Sequence, residues 1–122
     1  MPLQYEAPHG HLYVRWVRED SIAVSDRTFT RSFLLTPEQA GDWQVAALSD
    51  LQDAALAPLF ELAPELVILG TGPRQVFPSQ HTLAAFLTRG IGVEVMDNGA
   101  AARTFNVLAA EGRRVVAAFL LG

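Results

Sequence analysis

Apolar residues form short, closely spaced runs in the second half of the chain. Residues 66–69 are uniformly apolar, 91–96 alternate around one carboxylate, and 115–121 are apolar throughout. A uniformly apolar run such as 66–69 is typical of a parallel strand that is covered on both faces. Between them, apolar positions recur at helical spacing, and Gly90 and Gly112 stand where the two helices should end. The pattern predicts strand, helix, strand, helix, strand.

Residues that can cap a helix stand at both predicted helix starts. Ser79 and Asn98 each precede an apolar stripe, and their side-chain oxygens can accept hydrogen bonds from first-turn N–H groups. Since crossovers between parallel strands are right-handed, both helices are expected to pack against one sheet.

The first third of the chain is predicted to form an antiparallel meander. Residues 11–17, 21–25 and 28–35 are rich in β-forming residues and are separated by short polar breaks. Another short strand is expected at 43–46.

A further helix is expected after these strands. Ser49 or Asp50 is the predicted N-cap, and a leucine-rich stripe follows at helical spacing. Pro58 is expected to kink or end this helix, because proline lacks an N–H donor.

Length and composition narrow the class of protein. A chain of 122 residues is expected to be a single domain, 1–122. The chain has no cysteine, which excludes disulfides, thiolate catalysis and iron–sulfur clusters. The net charge is −4 and the basic residues are scattered arginines, so nucleic-acid binding is disfavoured.

The sequence also predicts the cellular location of the protein. The N-terminus has no basic and apolar segments of a signal peptide, and no apolar run approaches the ~18 residues that a membrane span needs. We expect a cytoplasmic protein that does not span the membrane.

The turn Gly70-Thr71-Gly72 is the first candidate ligand site. It follows a predicted parallel strand, where α/β sheets bind ligands. One interpretation is an anion or nucleotide loop with Asp97 as a ribose partner. The alternative, which we favour, is a structural turn, because Pro73 removes an N–H donor and the third glycine of the nucleotide motif is absent.

A second group of candidate residues lies near the start of the last helix. Arg103 and Asn106 are three residues apart and share one side. With Thr104, they either hold a carboxylate or phosphate beside the glycine turn or satisfy backbone groups of nearby loops. We favour the structural interpretation.

Glu94 interrupts an apolar strand. It is either a buried base with a raised pKa or a residue that faces solvent or pairs with an arginine.

His9, His11 and His81 have no metal-ligand spacing, and no nucleophile–histidine–acid motif is present. We therefore predict no catalytic residues, no metal and no cofactor.

Three segments together resemble a known family. They are Leu69-Gly70-Thr71-Gly72, then 90–96, then Ala102-Arg103-Thr104-Phe105-Asn106-Val107-Leu108 followed by Glu111-Gly112-Arg113. In motif, order and spacing the chain is similar to the bacterial branch of the mitochondrial complex I assembly factor 3 family, long labelled a domain of unknown function.

The resemblance implies a three-layer α/β fold, β+α/β/α, with a central mixed sheet and a small antiparallel β layer from the N-terminal strands. It implies no established enzymatic activity, and the mitochondrial relatives act as assembly factors bound to other proteins near the inner membrane. Ala102 stands where many relatives carry cysteine, and Phe105 where tyrosine is common.

Two functions follow as hypotheses. The leading one is a non-enzymatic cytoplasmic adaptor or assembly-type protein, with a protein partner such as a respiratory-complex or membrane-associated subunit. The alternative is a protein that binds a small molecule or an anion, either as a binding protein or as an enzyme. Its site would combine the Gly70–Gly72 turn with Arg103, Thr104 and Asn106. Neither the partner nor the oligomeric state follows from the sequence.

Overall fold

The computed structural model describes residues 5–6 and 10–121. Within them the strands are β1 (Tyr5–Glu6), β2 (Val14–Val17), β3 (Ile22–Val24), β4 (Arg27–Phe29), β5 (Phe33–Leu35), β6 (Gln39–Asp42), β7 (Leu66–Gly70), β8 (Gly92–Met96) and β9 (Val115–Phe119). The helices are α1 (Asp53–Glu61), α2 (Gln80–Leu87) and α3 (Asn98–Ala110). This order confirms the strand–helix–strand–helix–strand unit that the second half of the sequence predicts.

The strands form two sheets. The larger has the order β1-β6-β5-β9-β7-β8, and the smaller has the order β2-β3-β4. In the larger sheet β7 pairs in parallel with β8 and β9, whereas β5 pairs antiparallel with β6 and β9. The smaller sheet is antiparallel throughout. A central mixed sheet with a small antiparallel layer from the N-terminal strands is therefore confirmed.

The helices α2 and α3 lie on opposite faces of the central sheet. β8 and β9 flank β7 on opposite sides, so the two crossovers run in opposite directions across the sheet. Right-handed crossovers in opposite directions place their helices on opposite faces. Phe105 of α3 accordingly packs in one hydrophobic core and Phe86 of α2 in the other.

The first core lies between the central sheet, α3 and the small sheet. Stacked phenylalanine rings run through it, with centroids 4.1 Å apart for Phe29 and Phe33 and 5.0 Å apart for Phe33 and Phe119. The second core lies beneath α1 and α2 and includes Leu56, Leu59 and Phe86. Both faces of β9 are buried, and its sequence is apolar throughout.

The predicted strand 28–35 is two strands in different sheets. Its first part is β4 of the small sheet and its second part is β5 of the central sheet. Between them Ser32 is buried, and its hydroxyl donates to the Leu121 carbonyl at 3.1 Å and accepts the Leu121 N–H at 2.9 Å. The chain therefore changes sheets at Ser32, although Phe29 and Phe33 on either side stay in one core.

The predicted strand at 43–46 is wrong. The strand in this region is β6, which ends at Asp42 and pairs with β5 in a hairpin. The chain then leaves the sheet because Trp43 turns its ring into the second core, where its indole N–H donates to the Ala55 carbonyl at 2.8 Å.

The predicted N-cap of α1, Ser49 or Asp50, is also wrong. Both residues lie in a short 3-10 turn before the helix, in which the Asp50 carboxylate accepts the Ala47 N–H at 3.1 Å. α1 begins only at Asp53, with Gln52 in the N-cap position. The helix does not end at Pro58 but continues to Glu61.

Candidate functional site

The Gly70-Thr71-Gly72 turn lies at the carboxyl end of β7, beside the ends of β8 and β9. A methyl group at Gly70 would overlap the side-chain amide oxygen of Asn98 and lie 3.0 Å from the Phe119 ring. The position therefore accepts only glycine without rearrangement. Directly at Gly70, at the end of β7, the space beside the backbone is filled by the Asn98 and Phe119 side chains.

Backbone N–H groups of this turn are used within the fold. The Thr71 N–H donates to the Met96 carbonyl at 2.9 Å, and the Gly72 N–H donates to the amide oxygen of Asn98 at 3.1 Å. Pro73 has no N–H. Because loops that bind anions direct free backbone N–H groups at the ligand, the geometry at Thr71 and Gly72 is that of a structural turn.

The Thr71 hydroxyl closes the loop that follows. It accepts the Val76 N–H at 3.0 Å and donates to the Arg74 carbonyl at 2.6 Å. Thr71 is thus engaged through both its backbone and its side chain.

Asn98 is the central polar residue of this region, but it is not the N-cap of α3 as predicted. That role belongs to Asp97, whose carboxylate accepts the Ala100 N–H at 2.8 Å. Asn98 is only 3% exposed, and its amide accepts from Gly72 and donates to the Leu120 carbonyl at 3.0 Å. We call this arrangement the Asn98 clamp, because one side chain joins the ends of β7 and β9 to the start of α3.

The polar residues of α3 have separate structural contacts. The Asn106 amide accepts the Val14 N–H at 2.8 Å and donates to the Val14 carbonyl at 2.9 Å, so it pairs with the backbone of β2. The Thr104 hydroxyl points at the Met96 sulfur, 3.4 Å away. Arg103 is exposed. Asn106 and Thr104 therefore face different neighbours, the small sheet and β8.

Glu94 is exposed on β8, at the edge of the central sheet. Within residues 5–6 and 10–121 its carboxylate has no arginine partner. Arg113 instead pairs with Glu65 at 2.9 Å, and the Arg89 guanidinium lies 4.1 Å above the Phe60 ring. Glu94 thus faces solvent, which is one of the alternatives that the sequence left open.

The ion pair between Glu65 and Arg113 joins the start of β7 to the loop before β9. The hydrogen bond from Arg113 and then the backbone N–H of Arg114 lower the pKa of Glu65 below its ordinary value of 4.5. Both side chains of the pair are partly exposed, so the pair tethers two loops at the surface.

A depression of about 350 Å³ lies beside the glycine turn. It is lined by Val17–Glu19 of the β2–β3 turn, Gly72–Pro73, and Asp97–Gly99 at the start of α3. Two candidates predicted from the sequence line it, Gly72 of the turn and Asp97, the residue considered as a ribose partner. Arg103 lies next to it, with Nη1 3.5 Å from the position that a Cβ at Gly99 would take. Glu94, Thr104 and Asn106 are not among its lining residues.

A groove of about 350 Å³ separates α1 from α2. At its rim His81 Nε2 lies 3.3 Å from an oxygen of Asp53, and both side chains are largely exposed. Within residues 5–6 and 10–121 no cluster of side chains is suited to hold a metal ion, and His9 lies outside these residues.

No helix in that part of the chain is long and apolar enough to cross a membrane.

A family model described as a protein of unknown function, DUF498/DUF598, matches residues 14–120. The chain belongs to this family. The match covers both sheets apart from β1, all three helices and the Asn98 clamp. It confirms the family resemblance that the C-terminal motifs predict.

Relatives of the DUF498 chain occur in bacteria and in vertebrates. It is 36% identical over 120 residues to the human protein named NADH dehydrogenase [ubiquinone] 1 alpha subcomplex assembly factor 3, covering 97% of this chain and 65% of that protein. The chain thus spans about two-thirds of the length of this curated relative.

Solved structures of bacterial proteins share the fold. A Xanthomonas campestris protein is 46% identical with a TM-score of 0.85, covering 100% of this chain and 93% of that one. A Bordetella pertussis protein described as an Mth938-like domain is 30% identical with a TM-score of 0.79, covering 98% and 92% of the two chains.

Proposed function

We propose that this DUF498 chain is a non-enzymatic protein-interaction module of the assembly-factor type, acting in the cytoplasm. The observation that carries the proposal is its 36% identity, over 97% of its length, to a human protein named as an assembly factor. An assembly factor acts by binding other proteins, so the chain is proposed to hold a protein partner, with a respiratory-complex or membrane-associated subunit as the candidate class.

The contacts of its polar side chains support this proposal. The Asn98 amide and the Asn106 amide each hold two backbone groups of the fold. General acid–base chemistry needs a titratable group positioned within hydrogen-bond reach of a substrate. Asn98 and Asn106 both lie near the predicted site, and both are amides with structural partners.

Affinity purification from the native host tests the proposal. The tagged wild-type chain, expressed at its natural level, is expected to recover one protein reproducibly and in near-stoichiometric amount, as quantified by mass spectrometry. The matched control is the same tagged chain carrying Gly70→Ala, whose fold is expected to be weakened. Recovery of nothing above the tag-only background, across several lysis conditions, would count against the proposal.

The alternative function is binding of an anion or small molecule beside the glycine turn. The depression next to Gly72 supports it, since ligands bind at the carboxyl ends of strands in α/β sheets. A thermal-shift screen with inorganic phosphate, nucleotides and small carboxylates tests this candidate. A ligand at a hundred times its Kd stabilises the fold by about 2.7 kcal/mol. Absence of any shift, or a shift that Arg103→Ala leaves unchanged, contradicts the site predicted from the sequence.

A further inference from the structure

In the part of the chain that the structure describes, β8 has one unpaired edge. It is the last strand in the order of the central sheet, and its other neighbour is β7. The Gly92 N–H donates to the Glu65 carbonyl and the Met96 carbonyl accepts the Thr71 N–H, so Gly92 and Met96 direct their backbone groups towards β7. Because successive residues of a strand direct these groups to opposite sides, those of Val93 and Val95 point outward.

One outward group is covered by the chain itself. The side-chain amide of Gln75 donates to the Val95 carbonyl at 2.9 Å. The Val93 N–H, the Val93 carbonyl and the Val95 N–H remain, and none of them has a hydrogen-bond partner among residues 5–6 and 10–121. These three backbone groups are therefore available for hydrogen bonds to a further strand at this edge.

Exposed apolar side chains border the same edge. Val76 and Phe77 directly follow Gln75 and are 49% and 65% exposed. Leu87 of α2 is 71% exposed, and it lies about 120° around the helix from His81, which lines the groove towards α1. α2 packs on β8, the last strand of the sheet, so Leu87 belongs to the helix next to the open edge.

The charge at the centre of the edge limits what can pair with it. Glu94 is exposed there without an ion-pair partner in the described part of the chain. In antiparallel pairing with a second copy centred on β8, Glu94 would face Glu94 of that copy, and like charges directly opposite are destabilising. The net charge of −4 acts in the same direction. The carboxylate thus disfavours self-association and attracts a basic side chain.

We propose that the outer edge of β8, with Val76, Phe77 and Leu87 beside it, docks an extended apolar segment of a partner protein that carries a lysine or arginine opposite Glu94. The segment adds a strand to the central sheet through the Val93 and Val95 backbone, as in other complexes that extend a sheet. This inference rests on the proposed function and names the surface and the chemistry of the partner.

The test uses the peptide acetyl-Thr-Val-Lys-Val-Thr-amide and the ¹⁵N-labelled full chain. Titration at millimolar peptide is expected to shift the amide resonances of Val93 and Val95 and to protect them from hydrogen exchange. Glu94→Lys should weaken binding of this peptide about fivefold, the weight of a cross-strand charge pair, and should strengthen binding of the same peptide with glutamate in place of lysine. Shifts located elsewhere, or an unchanged preference in Glu94→Lys, would overturn the proposal.

Val93→Pro supplies a second variant that should fold. Proline is tolerated on an edge strand where the missing N–H faced solvent, and circular dichroism with a thermal melt checks the fold. It is expected to abolish peptide binding. If sedimentation shows a wild-type dimer that Val93→Pro dissociates, the edge binds a second copy and the proposal is wrong.

Affinity purification separates this inference from the proposed function. If Val93→Pro recovers the native partner as well as the wild type does, docking at β8 is refuted while the protein-interaction function stands. If the wild type recovers no partner, the proposed function fails regardless of the peptide result.

Discussion

Replacing Asn98 by alanine tests the clamp that organises the candidate site. The substitution leaves the Gly72 N–H and the Leu120 carbonyl, both in buried residues, without the partner that now lies 3.0–3.1 Å away. An unsatisfied buried backbone group costs about 1–3 kcal/mol. Two such groups predict a loss of about 2–4 kcal/mol after partial relaxation, a large fraction of the roughly 5–15 kcal/mol by which domains are stable.

Urea unfolding measures this loss directly. The transition can be followed through tryptophan fluorescence, because Trp43, one of the two tryptophans, is only 4% exposed in the folded state, and the midpoint and slope give the free energy of unfolding. The melting temperature should fall by roughly 3–5 °C for each kcal/mol in a chain of this size. The Gly72 amide should also exchange with solvent faster.

Two control variants sharpen the interpretation. Asn98→Asp keeps the shape and the acceptor for Gly72 but turns an oxygen towards the Leu120 carbonyl, so it should destabilise at least as much as alanine. Gln52→Ala removes an exposed amide that makes no capping bond and should stay within about 0.5 kcal/mol of the wild type. If Asn98→Ala also stays within that range, the clamp does not stabilise the fold and the reasoning is refuted.

Three further predictions use the same unfolding assay. Gly70→Ala should lower the free energy of unfolding by about 1–3 kcal/mol, because the new methyl overlaps the side chain of the clamp. Asn106→Ala should lower it by about 1–3 kcal/mol, since the backbone of β2 loses two hydrogen bonds, whereas exposed Arg103→Ala should change it by less than about 0.5 kcal/mol. The hydrogen bond from Arg113 lowers the pKa of Glu65 below 4.5 in the folded state, so its stabilisation exists above the unfolded-state pKa and disappears as the pH falls through the folded-state pKa. Glu65→Gln should therefore be less stable than the wild type at neutral pH and equal to it in acid.

Each of these predictions has a contradicting outcome. A Gly70→Ala variant as stable as the wild type would show that the turn has room for a side chain. Equal effects of Asn106→Ala and Arg103→Ala would remove the distinction between a structural amide and an exposed cation. A stability difference for Glu65→Gln that persists unchanged at low pH would mean that the carboxylate charge does not cause it.

The second half of the fold could be predicted because its local signals agree. The uniformly apolar run 66–69 became the parallel strand β7, and Gly112 ends α3 with a φ of 77°. Apolar pattern, helix stops and right-handed crossovers all favour one arrangement of such a unit.

The N-terminal errors have a physical cause. Phe29 and Phe33 belong to one core, so the hydrophobic pattern of 28–35 is that of a single strand although the chain changes sheets at Ser32. The hydrogen bonds that fix this change run from Ser32 to Leu121, 89 residues away. Local sequence carries no signal for a partner at that separation.

The candidate site was predicted only in part for a similar reason. Asp97 and Asn98 are both good N-caps, and only the packing of three strand ends decides that Asp97 caps the helix while Asn98 is buried. Asn106 was expected to satisfy backbone groups, and its partner is Val14, 92 residues away. The residue types indicate that these side chains hydrogen-bond to the backbone, but only the folded structure shows which backbone groups they bind.

The most direct measurement is binding between the purified chain and the purified protein that it recovers from its host. A protein-interaction function predicts direct, saturable binding with a defined stoichiometry in isothermal titration calorimetry, with no nucleotide or other small molecule required. Failure of the two purified proteins to bind, or binding only when a small ligand is added, would contradict that function and favour the ligand-binding alternative.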